Sequence, residues 1–317
     1  RAGCTAPIMM ISGFDERVLA SAARLGTSLG LHMLAPLRKP LVPSELRTLL
    51  DTVKRTALPI RDHDLDRALA GFQLVPYYQP KVRIADRSLI GAEALVRWNH
   101  PERGLLPPSA FLPVAEAGLA ITPMTFYMIE QAMRDCVAWR SRGLDLTIAV
   151  NVSAKSLVEP DFPERVFDIV RSCGASPGNL TLEVTETSAM ADTASMLAVL
   201  TRLRIRGFAL SMDDFGTGYS SLKELYRMPF SELKVDRSFV SAMCRDRDAL
   251  VITKAIVGLG ATLGMKTVAE GVEDEGIFTA LQEIGCDVAQ GYLLGKPMPV
   301  TAFDAWLDAN AGAAVPQ

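Results

Sequence analysis

The sequence predicts an α/β protein whose main part is a modified (βα)8, or TIM, barrel with one antiparallel strand. Eight strand-like apolar runs follow one another from residue 62 onwards, and helical segments of about 12 to 25 residues separate most of them. Repeated alternation of strand and helix requires a parallel sheet, and eight strands favour closure into a barrel. The runs are FQLVPYYQPKV, LIGAEALVRW, LTIAVNVS, LTLEVTE, FALSMDDF, ELKVDRSF, KTVAEGV and DVAQGYLL.

The connection between the first two runs predicts the antiparallel strand. Only the segment IADRS separates them, and a right-handed crossover between parallel strands needs a much longer connection. The two strands should therefore form a hairpin. One strand of the barrel is then expected to run antiparallel to its neighbours.

Residues 1–58 are organised differently. PIMMISG and HMLAPLRKP have the character of short strands, and each precedes an amphipathic helical pattern. This β-α-β-α segment is too small to bury a core alone. It resembles the second half of a response-regulator receiver domain, with Ser12 and Lys39-Pro40 at the strand ends. The chain begins with Arg1, so we expect a piece of a longer protein whose phosphoacceptor aspartate lies upstream. An unrelated αβ extension is the alternative.

Composition limits the classes of function. The chain has 317 residues, 49% of them hydrophobic and 22% charged, as is ordinary for a globular protein. A net charge of -3 argues against a protein that binds nucleic-acid polymers non-specifically, because such proteins are usually basic. We find neither a signal peptide nor an apolar stretch long enough to span a membrane, so we expect a cytoplasmic fragment without membrane contact.

The residues available for metal binding point to oxygen ligands. The five cysteines are scattered and form no C-x-x-C pair, which disfavours a disulfide framework or a zinc site. The three histidines show no H-x-x-x-H spacing. A bound metal would therefore be Mg²⁺ or Mn²⁺.

Polar residues mark the late positions of the apolar runs. Singly, each could be a solvated strand-end group or a helix cap. Together they predict a cation site, because burying several carboxylates in a barrel mouth costs several kcal/mol each unless cations neutralise them. The residues are Glu93, Asn151, Glu183, Asp213, Asp214, Lys234, Glu270 and Gln290.

The adjacent acids Asp213 and Asp214 set a condition on the backbone. Neighbouring residues of a strand point to opposite faces, so both can serve one site only if the chain turns out of the strand at Asp214. The following Phe-Gly-Thr-Gly segment permits such a turn. Asp213 could then bridge two divalent ions, which in phosphoryl-transfer sites lie roughly 3.5–4 Å apart. Lys234 would add a positive charge or a proton-handling group.

Seven ordered motifs resemble the EAL family of cyclic-di-GMP phosphodiesterases. They cover roughly residues 65–308, within a domain that we place at residues 62–312. The motifs are Glu93-Ala94-Leu95 within GAEALVRWNHPERGLLPP, NVS at 151–153, EVTE at 183–186, DDFGTGYSSL at 213–222, LKVDRSF at 233–239, AEGVE at 269–273 and QGYLLGKPMP at 290–299.

The resemblance implies a role for each site residue. It implies that Glu93, Asn151, Glu183 and Asp213 bind one metal ion, and that Asp213, Asp214 and Glu270 bind a second. Lys234 would contact or help to deprotonate the attacking water, with Glu93 and Glu270 also catalytic. Arg97 would hold a substrate phosphate, and Gln79, Gln290 and Asp236 would also contact substrate. Glu186 and Glu273 would support these groups, with Glu186 tethering the DDFGTGYSSL loop.

The implied function is metal-dependent hydrolysis of cyclic-di-GMP to linear pGpG in bacterial second-messenger signalling. No cyclase-type GGDEF motif is present, so degradation and not synthesis is expected. Two alternatives remain open: a catalytically silent cyclic-di-GMP receptor, and a phosphodiesterase for a different dinucleotide or phosphoester. A homodimer through the helix after the DDFGTGYSSL loop is implied by analogy alone.

Overall fold

The computed structural model describes residues 59–190, 193–217 and 222–310, together with eight residues nearer the amino terminus. Those eight are Ile8, Met10, Ile11, Ser12, Leu37, Arg38, Lys39 and Arg47. The chain divides into two compact units. The first comprises Arg1–Ile60 with Pro101–Arg103, and the second comprises Arg61–His100 with Gly104–Gln317.

The first unit contains a short parallel ladder. Strand β1 (Ile11–Ser12) pairs with β2 (Leu37–Arg38), so that Ile11 lies beside Leu37. The two helical patterns that were expected to connect and follow these strands lie almost entirely outside the described residues. The resemblance to a receiver domain therefore stays a prediction.

The second unit is the expected closed barrel. Ten strands follow in the order β12-β3-β11-β10-β9-β8-β7-β6-β4-β5, and an additional β3–β4 pairing closes a ring of eight. The ring strands are β3 (Leu74–Arg83), β4 (Leu89–His100), β6 (Thr147–Asn151), β7 (Leu180–Thr185), β8 (Ala209–Phe215), β9 (Glu232–Val235), β10 (Lys266–Ala269) and β11 (Val288–Gln290). The short strands β5 (Gly104–Leu106) and β12 (Met298–Pro299) are added outside it.

The short first connection predicted one antiparallel strand in the barrel, and the structure identifies it as β3. It pairs in antiparallel fashion with both of its barrel neighbours, β4 and β11, whereas the other neighbouring pairs around the ring are parallel. Its register sets Gln79 opposite Glu93 and Lys81 opposite Gln290. The antiparallel strand thereby delivers its own polar residues to the same interior as the parallel strands.

Among the described residues, no helix is both long and apolar enough to cross a membrane. The helices lie around the barrel. They are α1 (Asp62–Ala70), α2 (Leu112–Ala117), α3 (Ile121–Ser141), α4 (Ala154–Leu157), α5 (Phe162–Ser172), α6 (Glu186–Met190), α7 (Thr193–Ile205), α8 (Leu222–Arg227), α9 (Arg237–Val240), α10 (Arg247–Leu263), α11 (Glu275–Glu283) and α12 (Val300–Asn310).

The two faces of the strands bury different chemistry. Along β7, Leu180, Leu182 and Val184 are fully buried apolar residues, while the intervening Glu183 is equally buried but charged. Lys234 on β9 reaches Glu183 two strands away at 2.7 Å, so both side chains point into the barrel. Since side chains alternate along a strand, the apolar set packs outward under the helices and the polar set fills the interior.

An aromatic cluster outside the barrel fixes the position of β3. The ring of Tyr78 lies 4.8 Å from Trp139 on α3 and 5.6 Å from Phe303 on α12, centroid to centroid. All three rings are fully buried. Because Tyr78 points outward, its neighbour Gln79 must point inward, and so must Lys81.

Candidate active site

The predicted site residues converge at the carboxyl ends of the parallel strands. Glu93 on β4 lies near the middle of the group. Its Oε1 accepts a hydrogen bond from Asn151 Nδ2 at 2.7 Å, and its Oε2 accepts one from Gln290 Nε2 at 2.6 Å. Three strands are thus joined through one buried carboxylate. This is the end of a TIM barrel at which catalytic groups collect.

Lys234 is the positive centre of the cluster. Its Nζ lies 2.6 Å from Glu270 Oε1, 2.7 Å from Glu183 Oε2, 3.1 Å from Asp213 Oδ1 and 3.6 Å from Glu93 Oε2. The lysine side chain is 1% exposed. One ammonium group therefore contacts four carboxylates, which leaves a large excess of buried negative charge.

The paired aspartates share the site through a change in the backbone. Asp214 has a φ of 55°, and the pairing of β8 with β9 is irregular between Met212 and Phe215. For a residue with a Cβ this left-handed conformation costs about 1–2 kcal/mol. It lets Asp213, Asp214 and Glu270 each offer an oxygen within 4.8 Å of the others.

The crowding of acids changes their proton affinities. Burial raises the pKa of Glu183 well above its usual value, and the negative charge of Glu93 adds to this effect. Burial likewise raises the pKa of Glu270 to about 7 and that of Asp214 to about 6. For Lys234, burial opposes the charged form, but Glu183 and the other nearby acids raise its pKa well above its usual value. The cluster is therefore short of positive charge.

Amide and guanidinium groups lie beside the carboxylates. Gln79 Oε1 accepts from Gln290 Nε2 at 3.1 Å, and Gln79 Nε2 donates to the carbonyl of Gly295 at 3.1 Å. Arg97 donates to its neighbouring Val96 carbonyl at 2.9 Å, and its guanidinium lies 5.5 Å from the ring of Tyr77. Gln79, Gln290 and Arg97 all line one cavity, which makes each available to a ligand.

That cavity has a volume of about 570 Å³. Its lining includes the polar residues Glu93, Asn151, Asp213 and Glu270 and the apolar residues Leu112, Ile121, Met124 and Met128 from α2 and α3. A space of this size suits a ligand much larger than a single ion. Sequence reasoning did not identify these apolar lining residues, because they follow an ordinary buried-helix pattern.

Three further predicted residues lie around this centre. Glu186 begins α6, and its Oε2 accepts a hydrogen bond from the backbone N–H of Gly216 at 3.0 Å. Glu273 lines the cavity, and its Oε1 accepts from Arg237 at 2.6 Å. Asp236 lies apart from the cavity lining and caps α9, where its Oδ1 accepts from the Ser238 N–H at 2.9 Å. The functional roles assigned to these residues stay predictions.

Sequence reasoning missed two charged residues inside the barrel, one buried and one largely buried. Lys81 on β3 is 4% exposed, and its Nζ donates to Glu232 Oε1 on β9 at 2.7 Å. A signal was present in both runs: Lys81 follows Gln79 by two positions, and Glu232 precedes Lys234 by two. Since side chains two apart share a face, each belongs to the barrel interior as surely as its predicted neighbour.

The donor set fits a divalent cation held by oxygen ligands. Asp213, Asp214 and Glu270 place carboxylate oxygens close together in a partly buried site. The Oε1 atom of Glu183 is buried and has no hydrogen-bond partner. Excess acids and an unpartnered buried carboxylate oxygen are what coordination of a divalent cation would relieve.

Comparison with known proteins agrees with this geometry. A family model described as the EAL domain matches residues 62–297. Among curated relatives, the bifunctional diguanylate cyclase/cyclic di-GMP phosphodiesterase MucR of Pseudomonas aeruginosa is 45% identical over 238 residues, which cover 75% of this chain and 35% of MucR. The cyclic di-GMP phosphodiesterase RocR of the same organism is 35% identical over 306 residues, which cover 93% of this chain and 78% of RocR.

A solved structure shows the same architecture. The phosphodiesterase part of MucR, described in complex with c-di-GMP, superimposes with a TM-score of 0.73 at 44% identity, covering 76% of this chain and 98% of that one. The present chain thus spans nearly all of the solved MucR chain but 35% of the whole protein. The barrel, the converging carboxylates and the matched family model together show that this chain belongs to the EAL domain family.

Proposed function

We propose that the chain is a metal-dependent phosphodiesterase that hydrolyses cyclic-di-GMP to linear pGpG. The observation that carries the proposal is the convergence of four carboxylates on Lys234, because three of them, Glu93, Asp213 and Glu270, line a cavity that Arg97 also lines. Relatives MucR and RocR are both named cyclic di-GMP phosphodiesterases. Residues 62–312 would form the enzymatic domain, and residues 1–58 a separate segment.

The proposed metal-binding residues are those that the resemblance to the EAL family implies. Glu93, Asn151, Glu183 and Asp213 would hold one ion, and Asp213, Asp214 and Glu270 a second. In support of the second set, its three carboxylates each offer an oxygen within 4.8 Å of the others. Two bound Mg²⁺ or Mn²⁺ ions would supply an activated water and stabilise the negative charge that develops on the phosphate. Asp213 would be the ligand common to both sets.

The side chains would divide the remaining work among them. Lys234, held in its charged form by the surrounding acids, would contact the attacking water and help to deprotonate it by stabilising the negative charge that develops there. Arg97 would hold a phosphate oxygen through its planar guanidinium. Gln79 on β3 and Gln290 on β11, already hydrogen-bonded to each other, would contact the substrate from the side of the barrel that these two strands form.

Turnover with and without chelator tests the proposal directly. Protein incubated with cyclic-di-GMP and Mg²⁺ should produce pGpG, separated by chromatography, and EDTA should abolish the product. Binding of cyclic-di-GMP without any pGpG would instead support the catalytically silent receptor. Rapid cleavage of another dinucleotide, with cyclic-di-GMP left intact, would show that the substrate is wrong and the reaction class right.

Replacing Glu186 should raise the metal requirement. Its carboxylate holds the N–H of Gly216, two residues after Asp214, so Glu186→Ala should free this segment and loosen one ligand. We expect the metal concentration for half-maximal turnover to rise roughly 10–100-fold, as is typical when a group supporting a metal ligand is lost. The measurement is a Mg²⁺ titration of the initial rate.

The matched control for this variant is Glu186→Gln. Its amide oxygen can still accept the hydrogen bond from Gly216, so its metal requirement should lie closer to that of the original protein. If Glu186→Ala and the original protein need the same Mg²⁺ concentration, Glu186 does not tether the segment.

The wider biology is part of the same proposal. We place the protein in the bacterial cytoplasm as a homodimer, with residues 1–58 as a partial receiver domain of a response regulator. Support for the extra segment comes from RocR, whose match extends over 306 residues and therefore beyond the family-model range 62–297. Light scattering on the purified chain would test the dimer, since a monomer at micromolar concentration would contradict it.

A further inference from the structure

A second buried ion pair lies inside the barrel, beside the metal-binding cluster. Lys81 on β3 and Glu232 on β9 face each other across the interior with Nζ and Oε1 2.7 Å apart. The side chains are 5% and 12% exposed. Neither residue belongs to the proposed metal or substrate contacts. A charged pair in this position is costly to bury and interacts strongly with neighbouring charged groups.

The neighbour of this pair is the Glu183 carboxylate. Lys81 Nζ lies 3.7 Å from Glu183 Oε1, which is too far for a hydrogen bond. The other carboxylate oxygen, Oε2, is already held by Lys234 at 2.7 Å. Oε1 consequently has no hydrogen-bond partner even though it is buried. It is the one oxygen of Glu183 that remains available to a cation.

The geometry indicates why Oε1 stays available. Lys81 has two buried carboxylates within reach, and its ammonium group sits about an ångström nearer to the carboxylate of Glu232 than to that of Glu183. Charge-assisted hydrogen bonds between ammonium and carboxylate are short and strong, so Glu232 holds the ammonium group in place. Without it, Glu183 Oε1 would be the nearest carboxylate oxygen left for Lys81.

We infer that Glu232 is a positioning residue, which restrains Lys81 and thereby keeps Glu183 Oε1 free for metal coordination. This inference rests on the proposed metal-dependent function and adds to it a residue outside the metal ligands. Lys81, if released from Glu232, would compete with the cation for this oxygen. The distance between Lys81 and Glu183 then sets how readily the metal binds.

Metal binding by two variants tests the inference. In Glu232→Gln, the charged partner of Lys81 is removed with little change in shape, so Lys81 should move onto Glu183. We expect Mn²⁺ affinity, measured by calorimetry or by electron paramagnetic resonance of free Mn²⁺, to fall roughly 10–100-fold. In a crystal structure of this variant, the Lys81 Nζ to Glu183 Oε1 distance should shorten to hydrogen-bond length.

The double variant K81M/E232Q separates positioning from general damage to the fold. It removes the competitor together with its restraint, so Mn²⁺ affinity should return to within about a factor of three of the original, since replacing both members of a buried ion pair is often close to neutral. Equal loss of affinity in the single and double variants would overturn the inference. Unchanged affinity in Glu232→Gln would overturn it as well.

Two further variants complete the design. Glu232→Asp serves if Glu232→Gln does not fold: its carboxylate is withdrawn from Lys81 by one methylene, so the restraint on Lys81 should weaken, Mn²⁺ affinity should fall, and unchanged affinity would contradict us. Asp304→Asn is the control for a lost ion pair elsewhere, since Asp304 pairs with Arg142 at 2.6 Å. Its Mn²⁺ affinity should not change.

The wild-type measurement distinguishes two kinds of failure. If the original protein binds no Mn²⁺, the proposed metal-dependent function fails together with this inference. If it binds Mn²⁺ and cleaves cyclic-di-GMP, while Glu232→Gln binds Mn²⁺ equally well, only the positioning role of Glu232 fails.

Discussion

Glu93→Ala is expected to abolish turnover of cyclic-di-GMP while leaving the barrel folded. Glu93 joins three strands through its hydrogen bonds with Asn151 and Gln290, and it would be a ligand of one metal ion. Metal coordination contributes several kcal/mol to stabilising charge in the transition state, so its loss should lower the rate by about 10³-fold or more. The measurement is pGpG formation at saturating Mg²⁺.

The fold should survive this substitution for an electrostatic reason. Removing one carboxylate relieves repulsion among acids that share a single lysine, although Asn151 and Gln290 each lose an acceptor at a cost of about 1–3 kcal/mol per unsatisfied group. Circular dichroism should therefore show an intact secondary structure. Glu164→Ala is the matched control, because Glu164 lies on α5 and pairs with Arg206 at 2.8 Å away from the cavity lining. Activity of Glu93→Ala within a factor of two of that of this control would show that the metal assignment is wrong.

Lys234→Met is expected to abolish turnover in a different way. The lysine is 1% exposed and contacts four carboxylates, so methionine would fill its space without its charge. We expect a loss of about 10²–10³-fold in rate, the usual effect of deleting a group that stabilises charge in the transition state. Unlike Glu93→Ala, this variant should bind Mn²⁺ as tightly as the original protein or more tightly, because it keeps all the proposed metal ligands and loses a competing cation.

Lys234→Met should also lower the free energy of unfolding of the metal-free protein. Breaking a buried ion pair by removing one partner costs about 3–5 kcal/mol, and here the acids left behind are buried. Denaturant unfolding in EDTA should show a loss of this size, and Mg²⁺ should largely reverse it. Lys266→Met is the control, because Lys266 is exposed at the start of β10. If Lys234→Met retained the activity of this control, Lys234 would have no part in the reaction.

Much of the fold followed from local pattern. The short segment between the first two runs was enough to predict a hairpin and one antiparallel strand in the barrel, and the antiparallel pairing of β3 with β4 and β11 confirms that prediction. Strand-end position was enough to collect the proposed metal ligands, because the carboxyl ends of parallel strands meet at one rim. Lys81 was not predicted, because β3 runs in the opposite direction to the other strands. Its carboxyl end therefore does not lie at the rim where the parallel strands end, and a search of strand ends does not find its interior residues.

The arrangement within the site could not be obtained in the same way. The sequence does not show that Asp214 adopts a left-handed conformation, because a segment with two glycines is compatible with several different turns. It also does not show which of two carboxylates holds a given lysine. That choice depends on distances across the barrel, such as 2.7 Å from Lys81 to Glu232 against 3.7 Å to Glu183.

Local sequence patterns were therefore sufficient to predict the barrel, one antiparallel strand and the group of acids at its rim. Hydrophobic periodicity, connection length and strand-end chemistry are local properties, and each can be recognised within a few neighbouring residues. The sharing of charge became visible in the folded protein: Lys234 contacts four acids, Lys81 pairs with Glu232, and Glu183 Oε1 has no hydrogen-bond partner. These partners come from strands far apart in the chain, and closing the barrel sets the distances between them.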